Sequence, residues 1–165
     1  MSVTKPSTYR VFSLALLGVA LALAACGPRP PTYGEVAAQV PPVSADRARL
    51  FIYRDYEPYE SLSRPYLYLN GAVIGISEPG GVLYRDVPPG VYLISVDSYG
   101  IYPDQFKTVQ MTAGQTYYSK ITSLRSWVSG SNLMLNSEAD TFVVVLVDAE
   151  QARREMPAMW FFGGP

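Results

Sequence analysis

The chain has 165 residues, enough for one domain with a real core. Its formal charge of −1, from 13 basic and 14 acidic side chains, gives no footprint for nucleic acid. With no histidine and one cysteine, it excludes Ser-His-Asp and Cys-His nucleophilic chemistry, zinc sites of the usual Cys/His kind and any internal disulfide.

Residues 1–25 hold Lys5 and Arg10 but no acid, and then run apolar from Val11 to Ala25. As a helix that run is about 22 Å long, short of a hydrocarbon core of about 30 Å, so a cleaved secretory signal is expected rather than a span. It ends in Leu23-Ala24-Ala25-Cys26, which resembles the lipobox of bacterial lipoproteins. The resemblance implies that the Cys26 thiol is diacylated, as with palmitate, and that cleavage frees the Cys26 amine. The acyl chains would hold the protein to a membrane at about 0.8 kcal/mol per methylene. The same resemblance, with Gly27 rather than an aspartate after the cysteine, implies the outer membrane, facing the periplasm.

Between residues 26 and 46, Pro28, Pro30, Pro31, Pro41 and Pro42 fix φ and remove donors. An extended tether is expected there, reaching up to roughly 60 Å from the lipid surface. The domain proper is expected over 47–156. Ala48 to Arg54 is rich in β-branched and aromatic residues and reads as a strand. A proline-broken polar loop follows from Asp55 to Pro65. Tyr66 to Leu69 and Ala72 to Gly75 flank Asn70-Gly71, whose two positive φ values suit a type I′ hairpin.

Val82 to Val87 is a short strand stopped by Pro88-Pro89-Gly90. Tyr92, Ile94 and Val96 alternate with Leu93, Ser95 and Asp97, the period of a half-buried strand. In the next strand alternation sets Phe106 and Thr108 opposite Lys107 and Val109. Gln115 to Leu124 follows a turn at Ala113-Gly114, with Tyr117-Tyr118 at its centre. Residues 125–140 are polar and Ser/Asn/Gly-rich. Thr141 to Val147 is the most apolar stretch and is expected to be a central strand. Asp148 then caps a short helix ended by Pro157. The tail over 157–165 is apolar through Trp160-Phe161-Phe162 and is expected to fold back over a sheet edge.

Seven or eight closely spaced strands and one late helix predict an all-β protein, a small antiparallel β-sandwich with a short C-terminal helix. Ala48 to Arg54, Leu69-Asn70-Gly71 with Ile74-Gly75, Val87-Pro88-Pro89-Gly90 and Ala113 to Tyr118 resemble, in that order, an uncharacterised family of bacterial lipoproteins. Its domain is similar to the PEGA type of sandwich. The resemblance implies an immunoglobulin-like or transthyretin-like fold in the cell envelope and implies no activity.

The composition favours a non-enzymatic module without metal or cofactor, and the resemblance to envelope lipoproteins implies that it contacts an envelope protein or peptidoglycan. Tyrosines join an apolar face to a hydroxyl, so Tyr56, Tyr59 and Arg64 in the first loop are the candidate contacts for a small ligand or glycan, and Trp160 for a partner. Tyr53, Tyr66 and Tyr68 suit either such a platform or ordinary cross-strand packing. Glu57 with Glu60, or Asp97 with Asp104, would be the pair for a carboxylate hydrolase, although solvated loop acids of this kind are usually only solvated.

Overall fold

Ala48–Arg54 (β1) is buried along its whole length. Leu50 and Ile52 point to one core, and Phe51 and Tyr53 point to another. A strand covered on both faces needs this unbroken apolar run. The structure, a computed structural model, describes residues 29–56, 62–98, 105–123 and 141–164.

The other strands are Tyr66–Leu69 (β2), Ala72–Ile76 (β3), Gly81–Val87 (β4), Gly90–Val96 (β5), Phe106–Met111 (β6), Thr116–Ser123 (β7), Phe142–Val147 (β8) and Trp160–Phe161 (β9). They form two sheets, of order β8-β7-β1-β4-β9 and β3-β2-β5-β6. The protein is therefore a small all-β sandwich. Between the sheets lie Leu50, Ile52, Leu67, Leu69, Ile94, Met111, Ile121 and Phe142. Gly75 allows the sheets to approach here, since a Cβ on it would lie 2.8 Å from Leu83 Cδ2. The Asn70-Gly71 hairpin is as expected, with φ of 50° and 80°.

The five-stranded sheet departs from the all-antiparallel expectation. β7 pairs parallel with β1, and β9 pairs parallel with β4. β8 is an edge strand rather than a central one. Its apolar start is explained by burial of Phe142, Val143 and Val144, while Leu146 is exposed.

The outer face of this sheet is covered by both ends of the described chain. Asp148 Oδ1 accepts from the Gln151 amide at 2.7 Å and starts the C-terminal helix. That helix is Ala149–Glu155, and a 3-10 turn containing Pro157 ends it. The tail then adds β9 to the sheet beside β4, which covers that edge as expected.

The expected tether over 26–46 is folded from Pro31 onward. Tyr33–Val36 (α1) forms one helical turn, and the helix Ala149–Glu155 is accordingly α2. At the start of α1, Glu35 Oε2 accepts from the Thr32 amide at 2.7 Å. The Phe161 amide donates to the Pro31 carbonyl at 2.8 Å and the Tyr33 amide to the Met159 carbonyl at 2.7 Å. Tyr33 and Val40 pack with Phe51, Tyr84, Ala152, Met156 and Phe161 in a second core. Prolines broke the regular structure here without preventing apolar burial.

Candidate functional site

Two surface features stand out, one on the outer face of the four-stranded sheet and one at its end, between the sheets. Cross-strand partners share a face, and the register runs Val73–Tyr68–Ser95–Phe106 across all four strands. Tyr66 pairs with Ile76 in the next row, and Leu93 and Val91 continue the face along β5. A register shift at Leu67/Tyr68 leaves an extra residue in β3, so Val73 and Ile76 both turn outward. The result is an exposed apolar face made by Tyr66, Val73, Ile76, Val91, Leu93 and Phe106, with Val91 60 % and Phe106 53 % exposed. Its polar neighbours within the strands, Ser95, Thr108 and Gln110, are uncharged. Lys107 has the opposite phase, in line with Val109 and Met111.

At one end this face meets an open concavity of about 400 Å³ lined by Ser63, Arg64, Pro65, Tyr66, Asp97, Ser98 and Phe142. Arg64 forms a two-pronged ion pair with Glu78, with Nε donating to Oε2 at 2.6 Å and Nη2 to Oε1. The Asp97 amide donates to the Tyr66 carbonyl at 2.9 Å, which extends the β2–β5 pairing into the concavity. Asp97 also accepts from the Tyr68 hydroxyl, and that bond, more than burial, holds the Tyr68 phenol above its ordinary value. Ser98 Oγ accepts from the Phe142 amide at 2.7 Å and from Gln105 Nε2 at 3.0 Å. Arg54, 1 % exposed, donates to the Ser63 carbonyl at 2.8 Å, and its guanidinium lies 4.6 Å from the centre of the Phe142 ring.

The residues singled out from sequence separate as follows. Tyr56 is exposed and sits beside Gly80, close to the Glu78 that Arg64 grips. Arg64 and Tyr56 thus flank the same β3–β4 turn. Trp160 is half-buried in β9, paired with Gly81 and bridged to Thr32. Tyr53 is core, whereas Tyr66 is exposed. Cys26, Leu23, Ala24, Ala25, Tyr59, Glu57, Glu60 and Asp104 lie outside the described residues. The apolar outer face was not anticipated. Its signal was present in β5, where Val91 and Leu93 are as apolar as the alternating Tyr92, Ile94 and Val96.

Two polar clusters sit on the other side of the five-stranded sheet. Lys120 Nζ lies 2.5 Å from Asp55 and 2.9 Å from Glu155, and Glu155 also accepts from the Tyr53 hydroxyl at 2.7 Å. Burial would lower the Lys120 ammonium, but its two carboxylate partners outweigh that and hold it above its ordinary value. Burial would likewise raise the Glu155 carboxyl, and hydrogen bonds from Lys120, Tyr53 and Gln151 hold it below its ordinary value. Burial, then the bond to Glu155, pushes the Tyr53 phenol strongly upward. Arg49 donates twice to Asp86, at 2.7 and 2.6 Å, and once to the Pro41 carbonyl at 2.5 Å, with the Tyr84 ring centre 4.1 Å away. Each cluster ties the covering layer to the sheet. Among the described residues there is no group of three acidic, histidine or cysteine side chains placed to hold a metal.

Fold and surfaces define an all-β sandwich with one apolar sheet face turned to solvent and a polar concavity at its end. The chain belongs to the DUF2846 family, described as a protein of unknown function, which its residues 44–132 match. That span takes in β1 to β7, while β8, α2 and β9 lie beyond it. No curated protein matches the chain.

Proposed function

We propose that this protein is a non-enzymatic, lipid-anchored component of the cell envelope whose four-stranded sheet docks an apolar surface of another protein. The observation that carries the reading is the outer face of that sheet, where six large apolar side chains are exposed and the one charged strand residue, Lys107, has the opposite phase. Contiguous exposed apolar surface marks interaction sites, and an uncharged centre suits an apolar partner with polar contacts at the rim. Arg64, Glu78 and Asp97 supply such a rim at one end.

The anchor is supported by Leu23-Ala24-Ala25-Cys26 at the end of an apolar run. No helix among the described residues is long and apolar enough to cross a membrane. Pro31 and Tyr33 are bonded to β9 and the residue before it, in the layer that covers the other side of the sandwich. A lipid on Cys26 would then hold that side near the membrane and turn the apolar face away from it. A hydrolase finds little support, since Asp97 is the one carboxylate among the described residues that line the concavity.

Photocrosslinking in cells from positions 93 and 106, with the exposed position 153 of α2 as the control, tests the docking face. Discrete protein adducts from 93 and 106 alone are expected. Identical patterns from all three positions, or no adducts, would sink the reading. The anchor is tested separately by labelled palmitate, whose incorporation should vanish in Cys26→Ser.

A further inference from the structure

We propose that the concavity at the loop end of the four-stranded sheet binds a neutral, hydroxyl-rich ligand, namely a short stretch of a sugar chain. Its volume of about 400 Å³ is that of an ordinary small-molecule site. The charges around it exclude the simpler ligands. Arg64 is paired with Glu78, so it offers an anion no free charge. Asp97 lines the site without a second carboxylate among the described residues, too few ligands to hold a bare cation.

The remaining groups match sugar hydroxyls, which donate and accept at once. Asp97 offers carboxylate acceptors. Arg64 spends two of its five N–H donors on Glu78 and keeps others. Ser98 Oγ already accepts two hydrogen bonds, which leaves its proton to donate. The Tyr66 ring, exposed at the rim, gives the apolar face on which the C–H side of a sugar ring stacks. The floor is pre-formed, because buried Arg54 ties the Ser63 carbonyl to the Phe142 ring, and a rigid floor lowers the ordering cost of binding. This site goes beyond the protein-docking reading and needs no partner protein.

The whole chain, purified in detergent with its anchor, is titrated calorimetrically with an N-acetylglucosamine tetramer and with maltotetraose. Saturable binding of at least one is expected, weakened about ten-fold or more by Asp97→Asn and by Arg64→Met, and unchanged by Leu93→Ser. Binding of the tetramer alone identifies an amino-sugar polymer as the source, and binding of both a general hydroxyl-reading site. No saturation with either sugar up to about 10 mM, or equal affinity in both site variants, overturns the proposal. Since no second protein is present, failure here leaves the crosslinking result untouched.

Discussion

The Tyr33 ring stands edge-on to Phe51, with centroids 5.4 Å apart and planes at 73°. Phe51 stacks in turn on Tyr118 at 5.7 Å, so a side chain from the N-terminal segment completes an aromatic row over β1 and β7. Tyr33→Ala should therefore cost about 2 kcal/mol, from the lost edge-to-face pair together with the lost burial. Urea unfolding of the variant and of Tyr33→Phe checks this. Removal of a side chain from a free tether would leave the midpoint unmoved.

Among the described residues, Arg49 and Asp86 form the more buried of two bidentate pairs, with side chains 4 % and 19 % exposed, whereas Arg64 is 62 % exposed. Removing one partner of a buried pair strands the other, so Asp86→Asn is expected to cost about 3 kcal/mol. Arg64→Met should shift the unfolding midpoint much less, because solvent screens its exposed pair. Equal shifts in the two denaturation curves would contradict this ordering.

The Lys120 cluster predicts a pH dependence with a definite sign. Folding lowers the Glu155 pKa, so its contribution is complete above the ordinary value of 4.5 and is lost as pH falls through the folded value. Folding raises the Lys120 pKa, so its contribution is complete below 10.5 and is lost as pH rises through the folded value. Melting temperatures at neutral and acid pH should differ less in Glu155→Gln than in the parent. An identical acid shift in both would assign the sensitivity to other carboxylates.

Gly75 faces Leu83 across the two sheets, and Gly75→Val inserts a side chain where no space exists. Overpacking of this kind costs about 1–3 kcal/mol. Thermal unfolding of Gly75→Val together with Gly75→Val/Leu83→Ala tests the cause, since the smaller partner should restore part of the loss. No recovery would point to backbone distortion in β3 instead.

What was legible in the sequence was mostly local. Asn70-Gly71 specifies its own turn, Asp148 its own cap, and the β-branched and aromatic residues of β1 a strand, although not its burial on both faces. Pairing order was not legible, because the periodicity of β7 or β8 is the same beside any neighbour. The length of apolar stretch in β8 reports burial against the second sheet rather than a central place. Thr32 and Glu35 are spaced as a capping box, and Tyr33, Val36 and Val40 recur at helical intervals. That signal was present, and the surrounding prolines obscured it. Arg64 was identified because it is a charged loop residue. Asp97 and Ser98 joined it only through the three-dimensional meeting of the β2 and β5 ends.

The central position of β1 bears on how the chain reaches its native state. As synthesis proceeds, Leu50-Phe51-Ile52-Tyr53 appears well before either strand that flanks it, since β4 begins at Gly81 and β7 at Thr116. Pairings so distant along the chain close slowly and leave the early strand unsatisfied in the meantime. An uncharged segment of high β-propensity is a template for aggregation while it waits. Arg49 and Arg54, charged and both buried in the end, bracket that segment as gatekeepers until its neighbours arrive.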